Sequence, residues 1–256
     1  MIFIIISVVI FGLIIGSFLT SVIHRLPDIE SLIKGRSHCP KCKRQLGVWD
    51  LIPLISFVFL AGKCRYCSKK ISWHYPLIEF LTATLFLIIY LKFDLTIKSL
   101  FLAIISSGLI GIIFYDLEKM IIPDEILTPL IIISFVYIIV NAIINKSITE
   151  FNYALIGAAI FSGIILLLFV ISKGKWIGFG DAKLAILLGL ILGYPHAITA
   201  FFLAFLVGGL VGLILMAIGK KHLKDKVPLA PFMIFGFWTA LFWSHELINW
   251  YLGIGL

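Results

Sequence analysis

SLFLAIISSGLIGIIFYD, residues 99–116, decides which solvent this chain folds in. Seventeen residues without a charge run into a single carboxylate, Asp116. A run of that length crosses a bilayer core as a helix, and an acid at the membrane edge costs at least a few kcal/mol, so such a residue usually has a task.

Working outward, the run occupies roughly 98–115 and is one of eight. The others are roughly 2–22, 76–91, 125–144, 152–171, 177–193, 197–218 and 229–250. The 177–193 run reaches spanning length only if it starts near Ile177, which places Asp181 in the first turns of a helix. The expected fold is all-α and polytopic, with about eight transmembrane helices. Composition agrees: 61% of residues are hydrophobic, 13% are charged and the mean hydropathy is +1.14. A soluble domain is about half apolar and about a quarter charged, so a soluble enzyme of this size is excluded. No basic residue precedes the first run and no A-x-A-like cleavage site follows it, so it reads as a retained helix.

The net charge of +8 is spread between apolar runs, which argues for a membrane protein and against a nucleic-acid partner. With the amino terminus outside, 18 Lys and Arg fall on the inner side and only Lys92, Lys98 and Lys146 on the outer side. This bias sets the orientation and puts Asp116, Asp124 and Asp181 near the cytosolic face. Lys220, Lys221, Lys224 and Lys226 read as a basic loop touching anionic lipid.

The polar stretch 23–75 holds all four cysteines, as Cys39-Pro-Lys-Cys42 and Cys64-Arg-Tyr-Cys67. Two C-x-x-C units offer four thiolates at zinc-ribbon spacing, and with no histidine in the set a closed structural zinc site is favoured over a hydrolytic one. Zinc would tie down a module with little core of its own. Residues 50–60, DLIPLISFVFL, are apolar but too short to span; they lie in the interface or form the module's core. The chain thus divides into a first helix (1–22), a cysteine-rich module (23–75) and a seven-helix membrane domain (76–256).

Three carboxylates stand at the inner ends of spanning runs: Asp116 (LIGIIFYD), Asp181 (WIGFGD) and Glu79 (YPLIEF). Two acids meeting across helices share one proton; the ionised one activates water and the protonated one polarises a scissile carbonyl. Gly178 and Gly180 suit this role by letting substrate backbone approach Asp181 and by permitting unusual dihedrals. The competing readings are helix capping and a proton or ion pathway. Asp124, after Pro123, reads as an ordinary acidic helix start.

Taken in order, GSFLTSVIHRLP (16–27), RSHCPKC (36–42), LIPLISF (51–57), CRYC (64–67), YPLIE (75–79), DLEKMIIPD (116–124) and GFGDAKL (178–184) resemble the type IV prepilin leader peptidase family over essentially the whole chain. The resemblance implies a bacterial cytoplasmic-membrane aspartic endopeptidase that cuts the basic leader from prepilins and pseudopilins at the cytosolic face. It implies Asp116 and Asp181 as the catalytic pair, Asp124 and Glu79 as supporting acids, and Cys39, Cys42, Cys64 and Cys67 as the metal tetrad. It also implies methylation of the new amino terminus with S-adenosylmethionine. The chain departs from the family at Thr20-Ser21, where Asn-Val is usual, and at Glu118, where some members carry Asp. The rival functions are another G-x-G-D intramembrane protease, a proton-coupled transporter and a zinc-ribbon assembly anchor.

Overall fold

The computed structural model describes residues 2–26, 37–220, 222, 225 and 227–252. Pro27, Arg36, Lys221, Lys224 and Lys226, which enter the readings above, lie outside the described residues. Within them the chain forms α1 (Ile2–Arg25), a 3-10 turn (Val48–Leu51), α2 (Ile55–Phe59), α3 (His74–Phe93), α4 (Ile97–Lys119), α5 (Asp124–Ile144), α6 (Ile148–Ser172), α7 (Phe179–Leu192), α8 (His196–Ala217) and α9 (Ala230–Leu252).

Every expected apolar run has a helix on it, and the protein is an all-α, multi-pass membrane protein. Among the described residues six helices, α1, α3, α4, α5, α6 and α8, are long and apolar enough to cross a bilayer. The run expected over 177–193 is shorter than a span. Gly178 is extended (φ −79°, ψ 154°) and Gly193 is left-handed (φ +66°), so α7 has 14 residues. At about 1.5 Å per residue it is about 21 Å long, less than the roughly 30 Å hydrocarbon layer. In α9 the backbone leaves helical geometry at Trp243, and its apolar part is Ala230–Ser244.

The chain folds as two units, Met1–Phe114 and Tyr115–Leu256. In the first, α1 packs on α3 through Gly12 and Gly16, where an added Cβ would lie 2.7 Å from Ala83 Cα and 2.6 Å from Glu79 Cα. In the second, Gly189 of α7 meets α6 so closely that an added Cβ would lie 2.5 Å from the Gly157 carbonyl oxygen. Lipid is as apolar as these side chains, so helices in it associate through close van der Waals packing, which small residues allow. Hydroxyls in the apolar helices are satisfied locally: Thr82 donates to the Ile78 carbonyl at 2.7 Å and Ser134 to the Leu130 carbonyl at 2.8 Å.

The cysteine module is built from one turn used twice. Cys39 N–H donates to the Arg44 carbonyl and Lys43 N–H to the Cys39 carbonyl, at 2.9 and 2.8 Å. Cys64 N–H donates to the Lys69 carbonyl and Ser68 N–H to the Cys64 carbonyl, both at 2.9 Å. The residue after each second cysteine is left-handed, Lys43 at φ 56° and Ser68 at φ 53°. The sequence carries no repeat to announce this, because backbone bonds define the turn and only the cysteines recur.

Candidate active site and cysteine cluster

Asp181 is the third residue of α7, and its Oδ2 accepts the Gly178 N–H at 3.0 Å. Asp116 lies in the last turn of α4 and is buried, 5% exposed. Its Oδ2 accepts the N–H of Ala230, the first residue of α9, at 3.3 Å. Each carboxylate therefore sits at the amino-terminal end of a helix, where unpaired N–H groups and the helix dipole favour negative charge. The capping reading holds for one oxygen of each acid. Among the described residues, the other oxygen of each has no hydrogen-bond partner.

Both acids line one cleft of about 270 Å3, with Met120, Ile121, Ile122, Asp124, Gly178, Gly180 and Lys183. That volume is about nine waters' worth, and two acids sharing it repel if both are ionised. Asp124 is held by Lys183, whose Nζ donates to Oδ1 and Oδ2 at 2.9 and 2.8 Å. Lys183 is not among the residues expected from the sequence; its place in the GFGDAKL stretch, two residues after Asp181 and fifth in α7, was the available signal. The glycines act differently from expectation in one respect. Gly178 is in ordinary extended conformation and neither Gly178 nor Gly180 has positive φ. What they supply is room: an added Cβ would lie 3.3 Å from Asp181 Oδ2 at Gly178 and 3.2 Å from Ile122 Cβ at Gly180.

Glu79 belongs to the first unit. It is 8% exposed, and its Oε2 accepts the N–H of Leu54 at 2.8 Å. Leu54 has φ 58° and precedes α2, so Glu79 holds a strained turn of the module against a membrane helix.

The four cysteine sulfurs lie within 4.8 Å of one another, with Cys39 Sγ and Cys67 Sγ 4.0 Å apart. A tetrahedral zinc with Zn–S of about 2.3 Å has sulfur–sulfur edges of about 3.8 Å, so the donor set fits. Burial pushes the Cys39 thiol up, but the N–H groups of Cys42 and Lys41 and the thiols of Cys64 and Cys42 outweigh it, bringing it down to about 7. The Lys69 N–H lowers Cys67, yet burial and the three neighbouring sulfurs push it up to about 11. A cation held by these crowded sulfurs would offset the repulsion between thiolates. Asp50 ties the Val48–Leu51 turn to the second cysteine turn. Its Oδ2 accepts from Gly47 N–H at 3.1 Å and from Tyr66 OH at 3.3 Å, and its Oδ1 pairs with Arg65 Nε at 2.7 Å.

Residues 10–93 match the bacterial peptidase A24 N-terminal domain and residues 103–213 the type IV leader peptidase family. The prepilin leader peptidase/N-methyltransferase of Bacillus subtilis (strain 168) is 33% identical over 247 residues, covering 96% of this chain and 97% of that protein. The proteins of the same name from Aeromonas salmonicida and Legionella pneumophila are 31% and 30% identical, covering 96% and 95% of this chain and 92% of each relative. No solved structure matches. With relatives this similar along nearly their whole length, the chain belongs to the type IV leader peptidase family.

Proposed function

We propose that this chain is a membrane aspartic endopeptidase that removes the basic leader from type IV prepilins or pseudopilins, with Asp116 and Asp181 as its catalytic carboxylates. The observation that carries the proposal is that two acids 65 positions apart line one cleft, each held through one oxygen and open at the other. One of the pair is ionised and takes a proton from water as the water oxygen attacks the scissile carbonyl. The other is protonated and donates a hydrogen bond to the carbonyl oxygen. Collapse of the tetrahedral intermediate breaks the C–N bond, and the abstracted proton leaves on the new amino group. The proton belongs to the pair, so neither acid is assigned alone as base. Lys183 is a positioning residue: its ammonium group holds the Asp124 carboxylate beside the pair and offsets its charge.

In this reading the orientation is amino terminus outside, with the cleft at the cytosolic face of the bacterial cytoplasmic membrane. The charge bias of the loops supports it. Residues 76–256 form the peptidase domain and 23–75 a zinc-stapled module held by Cys39, Cys42, Cys64 and Cys67. The relatives' names carry a second activity, and we extend it to this chain: methylation of the new amino terminus with S-adenosylmethionine as donor.

The test co-expresses a prepilin-like substrate with the wild type, Asp116→Asn and Asp181→Asn. Leader removal by the wild type and retention by both variants is the expected result; cleavage by either variant at the normal rate refutes the pair. The mass of the mature amino terminus reads methylation separately.

A further inference from the structure

The Met1–Phe114 unit carries an apolar surface that no part of the described chain covers. Val48, Trp49, Val58 and Phe59 are 81, 74, 73 and 85% exposed. They come from the Val48–Leu51 turn and α2, beside a groove of about 350 Å3 lined by Ile52, Leu60 and, at its polar side, Arg65. In water such a surface is an aggregation hazard or a docking site.

Two observations say what covers it. The first is depth. Glu79 is the sixth residue of the membrane-length helix α3, and it bonds the N–H of Leu54, which immediately precedes α2. Five steps of about 1.5 Å put that anchor about 7.5 Å along α3 from its polar end. Interfacial helices bury their apolar face about 5–10 Å into the headgroup boundary, which matches the depth of this anchor where α3 enters the bilayer at its first turn. Trp73, 75% exposed at the start of α3, marks the same boundary, as tryptophan commonly does.

The second is charge. Arg65 lines the groove, and it and its sequence neighbours Lys63, Lys69 and Lys70 are exposed. Asp50 is the one acid in residues 37–72; its side chain is 5% exposed, hydrogen-bonded to Gly47 and Tyr66 and ion-paired with Arg65, which withdraws negative charge from the surface.

We propose that this face docks an anionic phospholipid of the leaflet on the module's side. The exposed apolar residues lie in the membrane interface, an acyl chain occupies the groove, and the headgroup meets Arg65 and the lysines. The module thereby rests on the bilayer instead of hanging from two helices. The inference is independent of the carboxylate assignment.

The test places a benzophenone amino acid at Phe59, or at Lys41 as control, in the full-length protein in nanodiscs. Circular dichroism verifies that each labelled protein keeps its helical content. Irradiation at position 59 yields phospholipid adducts several-fold above position 41. In phosphatidylglycerol discs, Lys63→Glu, Lys69→Glu and Lys70→Glu each lower that yield, by up to about fivefold per charge at the strength of one surface lysine. In phosphatidylcholine discs they do not. Lipid adducts no more abundant at 59 than at 41, adducts to protein only, or a signal displaced by S-adenosylmethionine overturns lipid docking. Equal loss in both kinds of disc overturns the anionic headgroup.

Discussion

Gly47–Asp50 and Gly178–Asp181 are the same local device in two regions of the molecule. In each, an extended glycine (φ −78° and −79°) donates its N–H to Oδ2 of the aspartate three residues on, at 3.1 and 3.0 Å. The second oxygens differ. Oδ1 of Asp50 is taken by Arg65 and its Oδ2 also accepts from Tyr66. The second oxygen of Asp181 has no hydrogen-bond partner among the described residues, and it shares a cleft with Asp116. A carboxylate ion-paired with a guanidinium is a staple; one with an unpaired oxygen beside another acid is available for chemistry. Four residues of sequence do not distinguish the two, whereas the tertiary neighbours do.

The largest effect that would break this comparison is on the cleft. Asp181→Asn or Asp116→Asn should slow leader removal by about a thousandfold or more, with the double variant little worse than either single. Asp50→Asn, with identical local geometry, should leave cleavage within a few-fold. Rate measurements in proteoliposomes decide it, and equal losses at Asp50 and Asp181 would erase the distinction.

Next is the cluster beside Asp50. Cys64→Ser should take zinc per chain from one to none, measured by elemental analysis of purified protein, because a structural site needs all four ligands. Hydrogen exchange should show lost protection over residues 38–70, with helices of the Tyr115–Leu256 unit unchanged. Acidification of the wild type should release zinc, since protons compete for the thiolates as pH falls.

A smaller effect probes how the cleft is held. Gly189→Ala puts a Cβ 2.6 Å from Ala158 Cα, whereas Gly163→Ala on α6 meets nothing within 4 Å. The first should cost about 1–3 kcal/mol of stability and reduce cleavage as α7 shifts; the second should do neither. Thermal unfolding in detergent and the cleavage rate read both. The smallest effect concerns Lys183 and Asp124, whose side chains are 34% and 60% exposed. An ion pair this exposed couples by up to about 1 kcal/mol, about fivefold. Lys183→Gln and Asp124→Asn should each slow cleavage modestly, and a double-mutant cycle should return a coupling of that size.

The helices were legible because lipid demands long apolar runs with internally satisfied backbone, and such runs show in composition alone. The run expected over 152–171 appears as Ile148–Ser172, and that expected over 197–218 as His196–Ala217. The length of α7 was harder to read, since Ile177 is as apolar as the helix it precedes and backbone geometry at Gly178 ends the element. The cysteine cluster was legible as well, because each C-x-x-C places two thiols on one turn. The bonds Ala230 to Asp116, Lys183 to Asp124 and Leu54 to Glu79 were not, because they join residues 114, 59 and 25 positions apart. No local pattern encodes a partner at that distance.

The sequence by itself determined the solvent, the helices and the pairing of cysteines within each turn, since these follow from hydropathy and spacing along a few residues. Only the tertiary structure decided which acids share a cleft, which are neutralised and which oxygen of each stays open. Helices in lipid gain little from hydrophobic burial against one another, so contacts at a handful of glycines set how they pack, and that packing settles which distant side chains meet.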